Sequence, residues 1–322
     1  MTRTRLAAVV LVLAGAFAGH AQAASTTTAP ATKGVVLVET NLAYQNASAA
    51  GTGIVLTSSG EILTNNHVIR GATTINVVLP ATHQQYSADV IGYDIADDIA
   101  LIKVSGAPKL ATATRGNSAK LKIGQATRAV GNANGGGRLV ITKGRVTALN
   151  QSITVSDEQG GTARLSGLIK TSALLAPGDS GGPLLDSLGH VIGVDAAGSA
   201  NQPGEGYAIP INKAYSLVKQ MDSGGASSLV HIGKTAFLGV TVSDTSGSVV
   251  IGQILPGTAA EAAGMEANDV VTAIDGRSVS SLSDIRTILF THHPGDTIAV
   301  AYRDPAGTAT TASLLLGDGP PQ

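Results

Sequence analysis

Ser180 stands in the stretch Ala176-Pro177-Gly178-Asp179-Ser180-Gly181-Gly182-Pro183. Glycines around a serine let the backbone turn tightly and come close to a bound substrate. Successive N–H groups in such a turn converge on one spot, a cradle for an oxyanion. This is how an acyl-transfer nucleophile is mounted, although taken alone the stretch is more often a Gly-rich turn that happens to hold a serine, and an upstream histidine and aspartate must reverse that. The chemistry needs a base to take the hydroxyl proton and a carboxylate to orient that base. Of the seven histidines, His20 lies in the N-terminal leader, His83 and His190 in loop-like settings, and His231 in a linker. His292-His293 ends a helix before Pro294, with no third ligand at metal-binding spacing. His67 differs: in Leu63-Thr64-Asn65-Asn66-His67-Val68-Ile69 it follows a strand directly and precedes Gly71.

The acids between them are Asp89, Asp94, Asp97 and Asp98. Asp98 opens the apolar run Ile99-Ala100-Leu101-Ile102-Lys103-Val104, where a carboxylate can lie beneath the imidazole, shielded from water. Adjacent residues of a strand point to opposite faces, so one of Asp97 and Asp98 faces His67; Asp98 is the expected one. Asp179 is too near Ser180 in the chain to serve, and its side chain should point away from the nucleophile.

These residues need a rigid frame, and the composition says which kind. The chain has 322 residues, a length for two or three domains, with 43% hydrophobic residues, 13% charged residues and 40 glycines. Low charge with much Gly, Val, Ile and Thr favours mainly β structure rich in turns. Net charge is -1, without a basic stripe for nucleic acid or a basic amphipathic segment for a membrane surface. Cysteine is absent, so there is no disulfide framework, thiolate nucleophile or cysteine-based zinc site. Nothing calls for a metal or cofactor. Gly131–Gly137 lacks the strand and helix that a nucleotide-binding glycine loop requires.

Residues 1–23 read as a secretory signal peptide: basic Arg3 and Arg5, an apolar run from Leu6 to Ala18, and Ala21-Gln22-Ala23 as cleavage site. Residues 24–33 read as a flexible tail. From Gly34 to about Val104, and again from about Asn117 to Ile209, short strand signals recur at even spacing, which suggests two small β-barrels spanning 34–222 with a helix at Asn212–Met221. Asn212 is its expected N-cap. A Ser/Gly-rich linker follows at 223–234. A second unit, 235–318, reads as a β-sandwich with two helices: Ala259–Ala263, capped by Thr258 with Glu261, and Leu282 to about Thr291, capped by Ser281. Leu282, Ile285, Ile288 and Leu289 share one face of the latter.

The order His67, Asp98, Ser180 is that of the chymotrypsin-like serine proteases. Thr64-Asn65-Asn66-His67-Val68-Ile69, Asp98 through Val104, Gly124 through Gly131-Asn132, Thr142-Lys143-Gly144-Arg145-Val146 and Gly206-Tyr207-Ala208-Ile209-Pro210 resemble the HtrA/Deg family, and the second unit resembles a PDZ domain. The resemblance runs from Gly34 to the end and is closest to secreted, single-PDZ members. It departs at Asp179, where many members have Asn, and at Ser172, where many have Asp.

The resemblance implies a chymotrypsin-like double β-barrel and an exported serine endopeptidase that cuts unfolded or damaged proteins. His67, Asp98 and Ser180 would be catalytic, with the N–H groups of Gly178 and Ser180 as oxyanion hole. Ala173, Leu174, Leu175, Val194 and Ala196 would line the pocket for the residue before the cut. That lining suggests cleavage after small or medium aliphatic residues. Asp195 is the only acid in the second wall and can face either way. Leu238, Gly239 and Val240 would take a peptide C-terminus, with Ile285 and Leu289 lining its side-chain pocket. Expected partners are unfolded polypeptides and peptide C-termini, with no nucleic acid, no stable membrane insertion and, by family analogy, a homotrimer. The alternative is a peptide-binding holdase with a latent protease domain.

Overall fold

Alternation decides how the first barrel packs. On β1 (Val35–Leu42), Val36 and Val38 point into the barrel interior while Val35 points to the seam with the second barrel. The same split runs through β2 (Ala47–Val55), β3 (Glu61–Thr64), β5 (Gln85–Asp94) and β6 (Ile99–Val104), while β4 (Thr74–Val78) gives Ile75 and Val77 to the interior. Ile102 and Tyr93 fill the interior, whereas Ile54, Leu63, Ile99 and Leu101 join the seam. β6 is therefore apolar from Ile99 to Ile102, where both faces are buried, while Lys103 pairs with Glu61 at 3.3 Å. The strands pair in the order β5-β4-β1-β2-β3-β6, and a further β5–β6 pairing closes the barrel. One helical turn, α1 (Asn66–Ile69), follows β3. The computed structural model describes residues 30–156, 162–198, 205–245 and 247–322.

The second barrel consists of β7 (Ala126–Gly131), β8 (Val140–Ser156), β9 (Thr162–Thr171), β10 (Pro183–Leu185), β11 (Val191–Gly198) and β12 (Gly206–Pro210), closed in the order β10-β11-β12-β9-β8-β7. α2 (Ile211–Asp222) buries Ile211, Ala214, Val218 and Met221 against the seam. β13 (Val230–Ile232) returns to the first barrel and pairs with β5.

The C-terminal unit holds β14 (Thr235–Phe237), β15 (Val240–Thr245), β16 (Ser248–Ile254), α3 (Ala259–Ala262), β17 (Val270–Ile274), β18 (Arg277–Ser278), α4 (Leu282–Leu289), β19 (Thr297–Arg303), β20 (Ala309–Leu315) and β21 (Gly317–Gly319). β15, β16, β17, β19 and β20 form one sheet in that order, with β18 on β17, while β14 pairs with β21. Ile285, Ile288 and Leu289 of α4 close its core. Asp275 and Gly276, both at positive φ, make the two-residue turn between β17 and β18. This unit rests on the first barrel through Tyr93, whose ring meets Phe290 edge-on at 5.9 Å and His231 at 5.1 Å.

Several expectations are corrected. The leader, 1–23, lies outside the described residues, but the supposed tail, 24–33, ends in a helical turn at Pro30–Thr32 whose Ala31 is buried in the seam. The linker, 223–234, is partly strand β13. Asn212 does not cap α2, which Pro210 precedes; its side chain bonds Asn117 instead. Thr258 makes no cap hydrogen bond, because its hydroxyl turns back to Leu255 O at 2.7 Å. His292, just past the end of its helix, lies 3.4 Å from both Asp275 and Asp296. His231 is buried, its ring nitrogens facing Phe290 O and Lys234 O.

Candidate active site

α1 begins where β3 leaves the first barrel, and its position is set by Asp98. Asn65 precedes the turn in extended conformation, and its Nδ2 donates to Asp98 O at 2.8 Å instead of capping. The His67 N–H donates to Asp98 Oδ1 at 2.9 Å, and His67 Nδ1 lies 2.7 Å from Oδ2. One carboxylate thus holds both the backbone and the ring of His67. An ionised carboxylate only accepts, so Nδ1 carries the proton and Nε2 is left as the basic nitrogen. Asp98 is buried at positive φ (53°), a conformation that Asp tolerates better than most residues. Asp97 turns the other way, to Lys213 Nζ at 2.5 Å.

Ser180 is brought to the same edge from the second barrel. Gly181 N–H donates to Asp195 O, Asp195 N–H donates to Gly182 O, and Thr52 N–H of β2 donates to Ser180 O, at 2.8, 2.8 and 2.9 Å. Gly181 has φ +83°, and a Cβ there would sit 2.1 Å from Thr52 O, so the close approach of the two barrels requires glycine. Gly51 leaves similar room: a Cβ on it would strike Val68 beside His67 and approach Ser180 O to 3.3 Å. Ser180 Oγ points toward Ala196 O at 3.4 Å.

The peptide before the serine is also fixed. Pro177 O accepts from Asn134 N–H at 2.6 Å, and Gly178 O accepts from Thr52 Oγ1 at 2.7 Å. A trans peptide points its C=O and N–H in opposite directions. Holding Pro177 O against Asn134 therefore turns the Gly178 N–H away from that loop. Among the described residues, neither the Gly178 nor the Ser180 N–H donates to a protein acceptor. Two donors left open beside a nucleophile suit a developing oxyanion.

Two further carboxyls lie behind the serine. Asp179 Oδ2 accepts from Ala176 N–H at 2.8 Å, while Asp179 Oδ1 and both oxygens of Asp195 have no partner among the described residues. Burial pushes the Asp179 carboxyl up to about 6. Burial first, and the nearby Asp179 second, push the fully buried Asp195 far above the carboxylate range.

Of the expected pocket residues, Leu175 packs against Gly206 on β12, and Ala196 offers its carbonyl to Ser180. Ala173 is buried within the second barrel, Leu174 is half-exposed, and Val194 points into the seam. In the PDZ-like unit, Gly239 has φ +84° and its carbonyl accepts from Leu255 N–H at 2.8 Å, whereas Leu238 O accepts from Ala260 N–H at 3.1 Å. Val240 opens β15, the edge strand of its sheet. Ile285 and Leu289 are buried in the unit's core, with Val240 and Val242 against the same cluster.

Sequence reasoning missed Thr52, whose hydroxyl accepts from Asn132 N–H and donates to Gly178 O; its setting between Gly51 and Gly53 was the available signal. It also missed a brace from the end of the C-terminal unit. Asn66 Nδ2 donates to Gln322 O, Gly71 N–H donates to Pro321 O, and Gln322 N–H donates to Tyr93 Oη, at 3.0, 2.8 and 3.3 Å.

Fold and site together are those of a trypsin-like serine protease followed by a PDZ domain, and family models of both kinds match: a trypsin-like peptidase domain over residues 51–194 and a PDZ domain over residues 236–312. Serine protease Do-like HtrA of Lactococcus lactis is 32% identical over 84% of this chain and 71% of its own length. Serine protease PepD of Mycobacterium tuberculosis is 33% identical over 88% of this chain and 63% of its own. Among solved structures, the HtrA-type protease AlgW with a tripeptide aligns with TM-score 0.54 and 25% identity over 91% of this chain and 97% of its own. The chain belongs to the HtrA family of serine proteases. These relatives support the protease reading rather than the holdase alternative. Relatives in Haemophilus influenzae and Chlamydia trachomatis are described as periplasmic, which agrees with an extracytoplasmic location. No helix among the described residues is long and apolar enough to cross a membrane.

Proposed function

We propose that this protease uses Ser180, His67 and Asp98 to cut unfolded or damaged proteins outside the cytoplasm, with the PDZ domain presenting or sensing peptide C-termini. The observation that carries the reading is the two-point grip of Asp98 on His67, at 2.9 and 2.7 Å. Ser180 Oγ attacks a peptide carbonyl and gives its proton to His67 Nε2. Asp98 stabilises the resulting imidazolium without taking the proton. The N–H groups of Gly178 and Ser180 hold the oxyanion; His67 then protonates the leaving amine, and water repeats the cycle on the acyl-enzyme.

In the PDZ domain, the N–H groups of Leu238, Gly239 and Val240 would take a terminal carboxylate while the peptide adds a strand to β15. Export would follow cleavage near Ala23. The family analogy adds a homotrimer, which light scattering of the mature protein tests.

Hydrolysis of an unfolded casein-like substrate, compared with Ser180→Ala, tests the central claim. A fall of ~10⁶ is expected, and an equal rate in both proteins would overturn it. Repeating the assay with an apolar C-terminal peptide should change the rate if the PDZ domain is coupled; an unchanged rate rejects coupling while leaving the triad intact.

A further inference from the structure

Ala176-Pro177-Gly178-Asp179 forms a β-turn: the Asp179 N–H donates to Ala176 O at 3.0 Å, and Gly178 sits at φ +92°. Proline in second place and a glycine of positive φ in third mark a type II turn. Half a rotation of the peptide between Pro177 and Gly178 would convert it to type I and reverse the Gly178 N–H. Glycine allows that rotation with little penalty, because it populates both signs of φ about equally. The residues of the turn therefore leave both orientations open, and only one aims the Gly178 N–H at an oxyanion.

The bond that resists the rotation comes from outside, from Asn134 N–H to Pro177 O at 2.6 Å. It holds only while the loop that carries Asn134 keeps its spacing from the turn. That spacing is close: a Cβ on Gly178 would lie 2.2 Å from Asn132 O. Thr52, fully buried on β2, is bound to both sides of the gap. Its hydroxyl accepts from the Asn132 N–H of the loop at 2.9 Å and donates to Gly178 O of the turn at 2.7 Å. An N–H can only donate, so the single hydroxyl proton is directed to Gly178 O. The Thr52 N–H adds a third point, on Ser180 O at 2.9 Å, and Thr52 O accepts from Thr64 Oγ1 of β3 at 2.8 Å. The Thr52 methyl would lie 3.1 Å from a Cβ on Gly182, so it packs against the nucleophile turn. A β-branched side chain has few χ1 choices, and this packing keeps the hydroxyl in place.

We propose that Thr52 is a positioning residue for the reaction. Its hydroxyl fixes the spacing between the Asn132–Asn134 loop and the nucleophile turn, and so keeps the Gly178 N–H aimed at the oxyanion before substrate arrives. The inference rests on the protease reading and deepens it. Thr52 touches no reacting atom; it acts through Gly178. Without the hydroxyl, Gly178 O and the Asn132 N–H lose their partner and the loop can withdraw. Asn134 then releases Pro177 O, and the Gly178 N–H turns out of the cleft.

Thr52→Val keeps the branched shape and removes the hydroxyl, whereas Thr52→Ser keeps the hydroxyl and removes the methyl. Both are compared with the wild type on one peptide substrate, with Ser180→Ala as blank and thermal melts counting folded protein. Thr52→Val should lower kcat by roughly 10- to 100-fold, a part of what an oxyanion donor supplies. KM should stay within a factor of about two, as for an interaction made in the transition state. The His67-dependent limb of the pH–rate profile should not move, because Asp98 still holds His67. Thr52→Ser should recover most of the rate. A peptide aldehyde, whose tetrahedral adduct needs the oxyanion donors, should lose affinity for the Val variant by the same factor as kcat/KM. Its analogue with a methylene in place of the carbonyl should bind unchanged. A Val variant within about threefold of the wild type overturns the inference, as does a Ser variant as slow as Val. Equal losses for the aldehyde and its carbonyl-free analogue overturn it too. If Thr52→Val does not fold, Thr52→Ala against Thr52→Ser makes the same comparison. A wild type no faster than Ser180→Ala overturns the protease reading and this inference with it, whereas an active wild type with an equally active Val variant overturns this inference alone.

Discussion

Asp98 and Asp195 are both buried beside the same serine, one on each barrel, and their circumstances are opposite. Asp98 receives the ring and backbone N–H groups of His67. Among the described residues nothing donates to the Asp195 side chain, and a second acid is its neighbour. A carboxylate that accepts two N–H groups is useful as an anion. Burial of a carboxyl left alone in an apolar wall raises its pKa. The first arrangement serves the chemistry of every turnover, whereas the second lies behind the nucleophile turn that the Asp195 backbone holds.

The largest expected effect breaks the first arrangement. Asp98→Asn keeps the shape but offers the wrong hydrogen bond to Nδ1, so kcat/KM should fall by on the order of 10⁴. The fall should be the same for peptides that differ only in the residue before the cut. Unequal losses would show that Asp98 also shapes the substrate pocket.

Stability against pH tests the second arrangement. Asp179 has a folded-state value of about 6, above its ordinary 3.8. The folded protein therefore binds this proton more tightly than the unfolded chain. The contribution is fully present below the unfolded value, and it is lost as pH rises through about 6. Its size is at most about 3 kcal/mol. Urea midpoints should fall between pH 4 and 7 in the wild type and stay flatter in Asp179→Asn. A midpoint that rises over that range would place the proton elsewhere. Burial raises the Asp195 carboxyl too, so it acts with the same sign.

A smaller effect, of opposite sign to most core substitutions, follows at Asp195 itself. Asp195→Val removes unpartnered oxygens from an apolar wall and should stabilise the protein by about 1–3 kcal/mol. The matching change at Asp98 should destabilise it, because the backbone N–H and the ring of His67 both depend on the Asp98 carboxylate. Thermal melts of the two variants should move in opposite directions.

What was legible in the sequence follows from distance along the chain. The turn around Ser180 and the choice of Asp98 over Asp97 rest on local rules, glycine freedom and strand alternation, and could be read directly. Val140–Ser156 form one long strand, β8, in which Gly144 pairs with Thr127 of β7 and Asn150 lies at a register shift against β9, so neither residue breaks it. Thr52 reaches Gly178 across 126 residues, and no local pattern announces that bond. Thr258 looked like a cap because the cap pattern is local, but Gly239 and Leu255 draw its hydroxyl away. Asp195 needed the register between β11 and β12, which sets it beside Ala208 in the interior of the second barrel, before its direction could be named.

The brace from the C-terminal unit carries the comparison to the back of the first barrel. Asn66 is the residue beside His67, yet its side chain serves Gln322, not the site. Asn66→Ala loses one hydrogen bond from a buried amide and should cost about 1 kcal/mol. Because α1 is still held by Asp98, the His67-dependent limb of the pH–rate profile should not move. The response of the rate to a PDZ-binding peptide should weaken instead, since the bond ties α1 to the unit that takes the peptide. A shifted pH profile with an unchanged peptide response would mean that Asn66 orients His67 directly and that the brace carries no signal.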